Sequence, residues 1–406
     1  HLADQGFIVT KKLARAAASP YPQSIQPDTV AYFTKADGTK VAGGDLLKNP
    51  AYAATVRKIA AEGPRALLEG SIAEAIVQRT HDGALPGTMT LADLKAYKPK
   101  TSEAVCRPYK VYVVCVPPAP SGGPALLEGL GLLANTDIAA HGPTTVQGWY
   151  LFSQASRLMY ADRDRYFGDP DFVSIPVEGL LDPAYLKARA ALISPEMAGP
   201  PPEAGKPRGA GIRAPDATAE PGGTTHMVIV DGAGNVVSMT TTVESIFGTG
   251  RMVGGFFLNN QLTDFSFVPA DAQGRPVANR AEAGKRPRSS MSPTLVFDAD
   301  TGQLLASAGS PGGAFIIHFT AKTLYGMLHW GLNAQQAIDL PNFGAMDELL
   351  ILEKGRFMPA TVSALQARGH KVVEVPLPSG LQAIARTPEG WFGGADPRRE
   401  GVVLGD

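Results

Sequence analysis

Apolar residues keep two different rhythms along this chain. From Asn49 to Val77 the positions Val56, Ile59, Leu67, Leu68, Ile72 and Ile76 recur at helical spacing and are interrupted by Gly63-Pro64, which predicts a helix, a break and a second helix. Thr90-Leu91-Ala92-Asp93 has the form of a capping box opening a short helix through Tyr97. Val105 to Val116 alternates as strand does, Pro117 to Pro124 reads as a rigid turn, and helices are expected through Leu133 and from Thr145 to about Tyr160. Residues 198–223 are rich in Pro, Gly, Ala and charge, which predicts an exposed loop or linker.

Beyond Thr224 the rhythm changes to hairpins. Thr224 to Asp231 and Asn235 to Thr242 are β-rich runs around Gly232-Ala233-Gly234, and pairing Asp231 with Asn235 sets the register so that partners sum to 466. Thr224 then falls opposite Thr242, at a separation of about 4.5–5.5 Å across an unbulged ladder. Met227 and Ile229 alternate with Val228 and Val230, a pattern that predicts a sheet buried on both sides and so a layered α/β fold. Pro293 to Ser307 forms another hairpin with its tip at Asp298 to Gly302, and a buried helix is expected from Ala314. Gly312 and Gly313 would sit at that helix's N-terminus. There their N–H groups could hold an oxyanion, or the pair could simply be a tight turn that lets helix pack on strand.

The placement of Thr224 after Gly222-Gly223 matters chemically. A threonine alcohol is a weak nucleophile without a base, but cleavage before Thr224 would give the same residue a free α-amine titrating at about 7.7–8.0. Read alone, Gly-Gly-Thr-Thr is also the start of an ordinary strand.

Composition narrows the partners. Of the 406 residues 44% are apolar, and 37 Lys and Arg against 38 Asp and Glu give a net charge of -1, which speaks for a small-molecule partner and against nucleic acid. No apolar run approaches the roughly 18 residues that span a bilayer; the nearest, Pro124 to Ala134, is broken by Glu128 and two glycines. Cys106 and Cys115 are the two cysteines, placed either to pair locally in an oxidising compartment or to lie buried as thiols. Neither a metal site nor a cofactor is expected.

Seven motifs in order carry a resemblance to one family. They are Thr224-Thr225-His226, Thr240-Thr241-Thr242, Phe247-Gly248-Thr249-Gly250, Leu258-Asn259-Asn260-Gln261, Asp264-Phe265-Ser266, Gly284 to Pro293 (Gly-Lys-Arg-Pro-Arg-Ser-Ser-Met-Ser-Pro) and Gly309-Ser310-Pro311-Gly312-Gly313. With Tyr160-Ala161-Asp162-Arg163, Gly168 to Phe172 and Gly394 to Arg398, the chain resembles the γ-glutamyltransferases (γ-glutamyltranspeptidases) of the N-terminal nucleophile hydrolase superfamily.

The resemblance implies a four-layer αββα sandwich, one domain built from a large-subunit part (1–223) and a small subunit (224–406) after self-cleavage between Gly223 and Thr224. It implies that Thr224 attacks γ-glutamyl compounds such as glutathione, that Thr242 orients it, and that Gly312 and Gly313 hold the oxyanion. Ser289 and Ser290 would take the glutamyl α-carboxylate, and Gln261, Asp264 and Glu244 the α-ammonium. A periplasmic or secreted location is implied as well. Three departures accompany it. Glu244 stands where the family often has asparagine; the family's large subunit normally starts well before a segment like Leu2 to Val9, in a part expected to hold a carboxylate-gripping arginine; and the loop from Phe265 to Gly284 has no tyrosine. The alternatives are a glutaryl-cephalosporin acylase of the same superfamily and a non-catalytic relative.

Overall fold

Asn49 and Pro50 start the first long helix for reasons legible in their chemistry. The Asn49 side chain accepts from the Tyr52 N–H at 2.9 Å, and a proline at the first helical position loses no hydrogen bond. The computed structural model describes residues 1–216, 218, 220 and 222–405. Ala217, Ala219 and Pro221, which fall in the stretch expected as a loop, and Asp406 lie outside the described residues.

Two compact units make up the chain. One comprises His1–Thr101 with Thr242–Gln261; the other comprises Ser102–Thr241 and the residues from Leu262 onward. In the first, α1 (Pro50–Glu62) and α2 (Gly70–His81) flank the predicted Gly63-Pro64 break, and α3 (Leu91–Ala96) opens on the capping box, Thr90 and Asp93 each bonding the other's backbone N–H. A small core of Val9, Phe33, Val41 and Leu47 packs with Phe247 and Phe257.

The second unit is built on β1 (Val105–Tyr109), β2 (Tyr112–Val116), α4 (Gly123–Ala134), α5 (Val146–Tyr166), β3 (Thr224–Val230), β4 (Val236–Thr242), β5 (Thr294–Asp298), β6 (Leu304–Gly309), α6 (Ile316–His329), β7 (Gln382–Thr387) and β8 (Gly390–Ala395). Six strands form an antiparallel sheet in the order β8-β7-β6-β5-β2-β1, while β3 and β4 pair with each other. Strand periodicity separates the layers. Ala306 and Ala308 of β6 join the core with residues of α4, α5 and α6, whereas Ser307 and Gly309 point the other way, to Ser238 and His226 of the hairpin. Cys106 and Cys115, partners in the β1–β2 register, are joined by a disulfide, which settles the open choice between a bridge and two thiols.

Three expectations need correction. The helix from Thr145 does not stop near Tyr160 but runs to Tyr166, because Asp162 and Arg163, which look like a polar end, are interior and paired. Asp162 accepts from the Tyr185 hydroxyl at 2.7 Å and from Arg189 Nε at 3.1 Å. Residues 198–223 form the expected loop, without helix or strand among those described and exposed at many positions such as Ile212, but they are not a loose linker. Ala214 and Asp216 are buried, and Gly205 is held by Tyr166 Oη on its carbonyl at 2.6 Å and by Asp162 on its N–H. Finally, β3 is not buried on both sides: Thr224 and His226 face inward, while Met227 and Ile229 are exposed among the described residues.

Candidate active site

Thr224 is the first residue of β3, largely buried, and its carbonyl accepts from Arg399 Nη1 at 3.0 Å. Two residues on, the His226 ring lies against Gly309, where a Cβ would come within 2.3 Å of it. Only glycine fits there. His226 Nδ1 is 2.9 Å from Thr240 Oγ1, and burial holds this imidazole down to about 4, so it is neutral at pH 7. His226 with Thr240, and the Asp231 N–H on the Asn235 carbonyl at 3.0 Å, are two places where partners sum to 466. The predicted hairpin register holds at both. Thr242 ends β4, and its hydroxyl accepts from the Glu244 N–H at 2.8 Å.

Gly312 and Gly313 lead through a single 3₁₀ turn (Gly313–Phe315) into α6, as expected. Both have positive φ, 147° and 57°, and a Cβ on Gly312 would lie 2.6 Å from the Phe319 ring, so neither position admits an ordinary side chain without strain. The junction passes beside this pair. An added Cβ on Gly222 would rest 3.7 Å from the Gly313 nitrogen, and the Ala314 N–H donates to the Glu220 carbonyl at 3.1 Å.

Ser289 and Ser290 sit in the loop before β5. The Ser289 N–H donates to the Pro120 carbonyl, and Ser290 is buried with its Oγ 2.6 Å from Arg163 Nη2 and 2.5 Å from Glu220 Oε2. Around them lies a set of buried ion pairs that the sequence reading missed. Arg163 meets Glu220 at 2.7 Å and Asp164 at 3.1 Å; Arg288 meets Asp164 at 2.9 Å, Glu220 at 3.4 Å and Asp216 at 3.5 Å. Asp264 is also buried in the second unit, its carbonyl bonded by Asn279 Nδ2 at 2.8 Å.

In the first unit Glu244 is buried and has a φ of 73°, a conformation a non-glycine residue adopts at a cost of order 1–3 kcal/mol. Its carboxylate is held by the Ser245 hydroxyl at 2.5 Å and by Asn260 Nδ2, while Asn260 Oδ1 accepts from the Ser245 N–H. Asn260 was thus overlooked although it stands inside a motif. Gln261, next to it, opens the 3₁₀ turn Gln261–Asp264 with its N–H on Asn259 Oδ1. Among the described residues no group of three or more His, Cys, Asp or Glu is placed to hold a metal, and no helix is long and apolar enough to cross a membrane.

A family model described as gamma-glutamyltranspeptidase matches residues 1–406. The chain belongs to the γ-glutamyltranspeptidase family. It is 36% identical over 411 residues to the glutathione hydrolase proenzyme of Escherichia coli K12, covering 98% of this chain and 68% of that protein. To the glutathione hydrolase proenzyme of Bacillus subtilis 168 it is 34% identical over 418 residues, covering 100% and 69%. The chain therefore spans about two thirds of the length of these relatives. Among solved structures, the cephalosporin acylase from Bacillus halodurans superposes with a TM-score of 0.83 at 26% identity, over 99% of this chain and 72% of that one. The fold is thus the α/β, αββα architecture of the N-terminal nucleophile hydrolases, to which the helix layer, six-stranded sheet and β3–β4 hairpin belong.

Proposed function

We propose that this member of the family is a γ-glutamyltransferase and hydrolase whose nucleophile is Thr224, made available by cleavage of its own precursor. The observation that carries the reading is the path of the chain at Gly222 beside Gly312 and Gly313, immediately before a strand that begins with the threonine. In the first reaction the Thr224 hydroxyl attacks the Gly223 carbonyl, the amide bond breaks to leave an ester on Oγ, and water hydrolyses that ester. The products are a Gly223 carboxylate and a free Thr224 amine, on a large subunit ending at 223 and a small one starting at 224.

In the second reaction that amine takes the hydroxyl proton while Oγ attacks the γ-carbonyl of glutathione or a related compound. The amine of the leaving group departs with a proton, and water or an acceptor amine resolves the acyl-enzyme. Gly312 and Gly313 donate to the tetrahedral oxyanion, a role in which losing one donor typically costs about 2.7–4 kcal/mol. Thr242 orients the nucleophile, Ser289 and Ser290 receive the α-carboxylate, and Glu244, Gln261 and Asp264 receive the α-ammonium. The disulfide supports a periplasmic or secreted setting.

Likeness to a cephalosporin acylase keeps a second reading in view, removal of a glutaryl side chain. A glutaryl group has no α-ammonium, so a buried Asp264 and Glu244 favour the glutamyl substrate. The test pairs intact mass with turnover of γ-glutamyl- and glutaryl-p-nitroanilide. Two fragments meeting at Gly223/Thr224 and faster glutamyl turnover are expected. A faster glutaryl reaction would overturn the choice of substrate, and a chain that stays whole and inert would indicate a non-catalytic relative.

A further inference from the structure

Tyr160 is a buried residue of α5, and its hydroxyl donates to the Ala314 carbonyl, in the 3₁₀ turn that Gly312 and Gly313 open. The ring is fixed as firmly as the hydroxyl. It stacks on the His318 imidazole of α6 with 4.7 Å between centroids and 13° between planes, and His318 Nε2 accepts in turn from the Ala345 N–H at 3.0 Å. Arg163 of the same helix holds its guanidinium carbon 5.5 Å from the Tyr160 ring centroid. Burial pushes the phenol well above its ordinary value of 10, so Tyr160 stays a donor throughout the neutral range.

This contact acquires a chemical meaning when the turn is followed peptide by peptide. The Ala314 carbonyl and the Phe315 N–H belong to one peptide group, and that N–H donates to the Gly312 carbonyl at 3.2 Å. The Gly312 carbonyl and the Gly313 N–H belong to another. A hydrogen bond accepted by a peptide oxygen draws charge onto that oxygen and makes the N–H of the same group a stronger donor, by about 10–30% per bond. The polarisation thus runs one way, from the Tyr160 hydroxyl through two peptides to the Gly313 N–H.

We infer that Tyr160 is a positioning residue for the oxyanion donor of this enzyme: its hydroxyl fixes and polarises the two linked peptides that end at the Gly313 N–H. The inference rests on the γ-glutamyl reading above, in which that N–H receives the tetrahedral oxyanion, and adds to it a residue 154 positions away from the turn. The turn needs such an anchor. Gly312 and Gly313 have no side chains to pack and sit at φ of 147° and 57°, in a region where glycine has much backbone freedom to lose. An oxyanion donor acts best when it is in place before the charge develops, and the Tyr160 hydroxyl supplies that order from the large-subunit part of the chain.

The experiment compares the wild type with Tyr160→Phe, which deletes the hydroxyl and keeps the ring on His318, after intact mass has shown both to be cut. Acylation and deacylation each pass through an oxyanion, so kcat for γ-glutamyl-p-nitroanilide should fall about tenfold while KM stays within about a factor of two. A glutamate analogue with boronic acid in place of the γ-carboxyl, whose tetrahedral adduct on Thr224 sets an oxygen where the oxyanion forms, should bind about tenfold more weakly. An unchanged kcat, or a loss confined to KM, in a variant that melts cooperatively overturns the inference. If Tyr160→Phe stays uncut or does not fold, 3-fluorotyrosine placed at position 160 decides the matter. Its more acidic phenol donates more strongly, so kcat should rise by up to about twofold, and a kcat that is unchanged or lower overturns the inference. A wild type that works beside an unaffected Tyr160→Phe sinks this inference alone. If the wild type neither cuts itself nor turns over the γ-glutamyl compound, the functional reading fails first and takes the inference with it.

Discussion

The two sides of the Gly223–Thr224 junction are held by different forces. Downstream, Thr224 enters a hairpin whose register is secured by backbone bonds and by His226 seated against Gly309. Upstream, the described residues form no strand and are held by scattered contacts: Glu220 on Arg163, Arg288 and Ser290, Asp216 on Arg288 and Asn279, and single backbone bonds such as the Ala214 N–H on the Pro276 carbonyl. A ladder is a cooperative array that survives loss of one covalent neighbour, whereas a segment held by a few ion pairs can exchange them for others once it has a free end.

Thr224→Ala should have the largest effect on this contrast. It leaves the hairpin standing but removes both the cut and all measurable turnover, as intact mass and γ-glutamyl-p-nitroanilide hydrolysis would show; an active variant would refute the mechanism. Gly309→Ala attacks the downstream side. Its methyl group collides with the His226 ring, and a loss of about 3 kcal/mol in denaturant unfolding, with slowed cleavage, is expected. Arg399→Met removes a side-chain donor to the Thr224 carbonyl and should cost about 1.5 kcal/mol, with the melting point the simplest readout.

The smallest effect is a pH dependence. His226 and His318 are held by burial at about 4 and about 3, below the ordinary value of 6.5. Their contribution to stability is therefore intact above pH 6.5 and is lost as pH falls toward those values, because the unfolded chain takes up protons that the folded one refuses. By pH 6 the loss is about 0.8 kcal/mol for each such group, so His226→Gln should flatten the fall in melting temperature between pH 7 and pH 6.

What could be read from the sequence follows local rules. The Thr90 capping box, the β3–β4 register and the glycine pair before α6 each depend on residues a few positions apart, and the structure has all three. The ion pairs did not obey any local rule. Arg163, Asp216, Glu220 and Arg288 are separated by up to 125 residues, and each alone looks like a solvated surface charge. Composition told only part of the story at residues 198–223, where small and polar residues suggested solvent and many are exposed, but charges such as Asp216 and Glu220 fasten the strandless segment. The exposed Met227 and Ile229 show the limit of alternation as a guide: an apolar residue on a strand does not say whether anything covers it.

The pairing of Cys106 with Cys115 has a consequence at the far edge of the large sheet. Their Cα atoms lie 4.1 Å apart, the spacing of a pair that exchanges no ladder bonds, so two residues along, Pro108 stands at a position of the same kind opposite Val113. A backbone N–H at such a position on β1 would point away from β2 and toward any newcomer. Proline has none. The outermost strand is thus blunted at Pro108, and a second molecule that tried to continue the sheet there would find a missing rung.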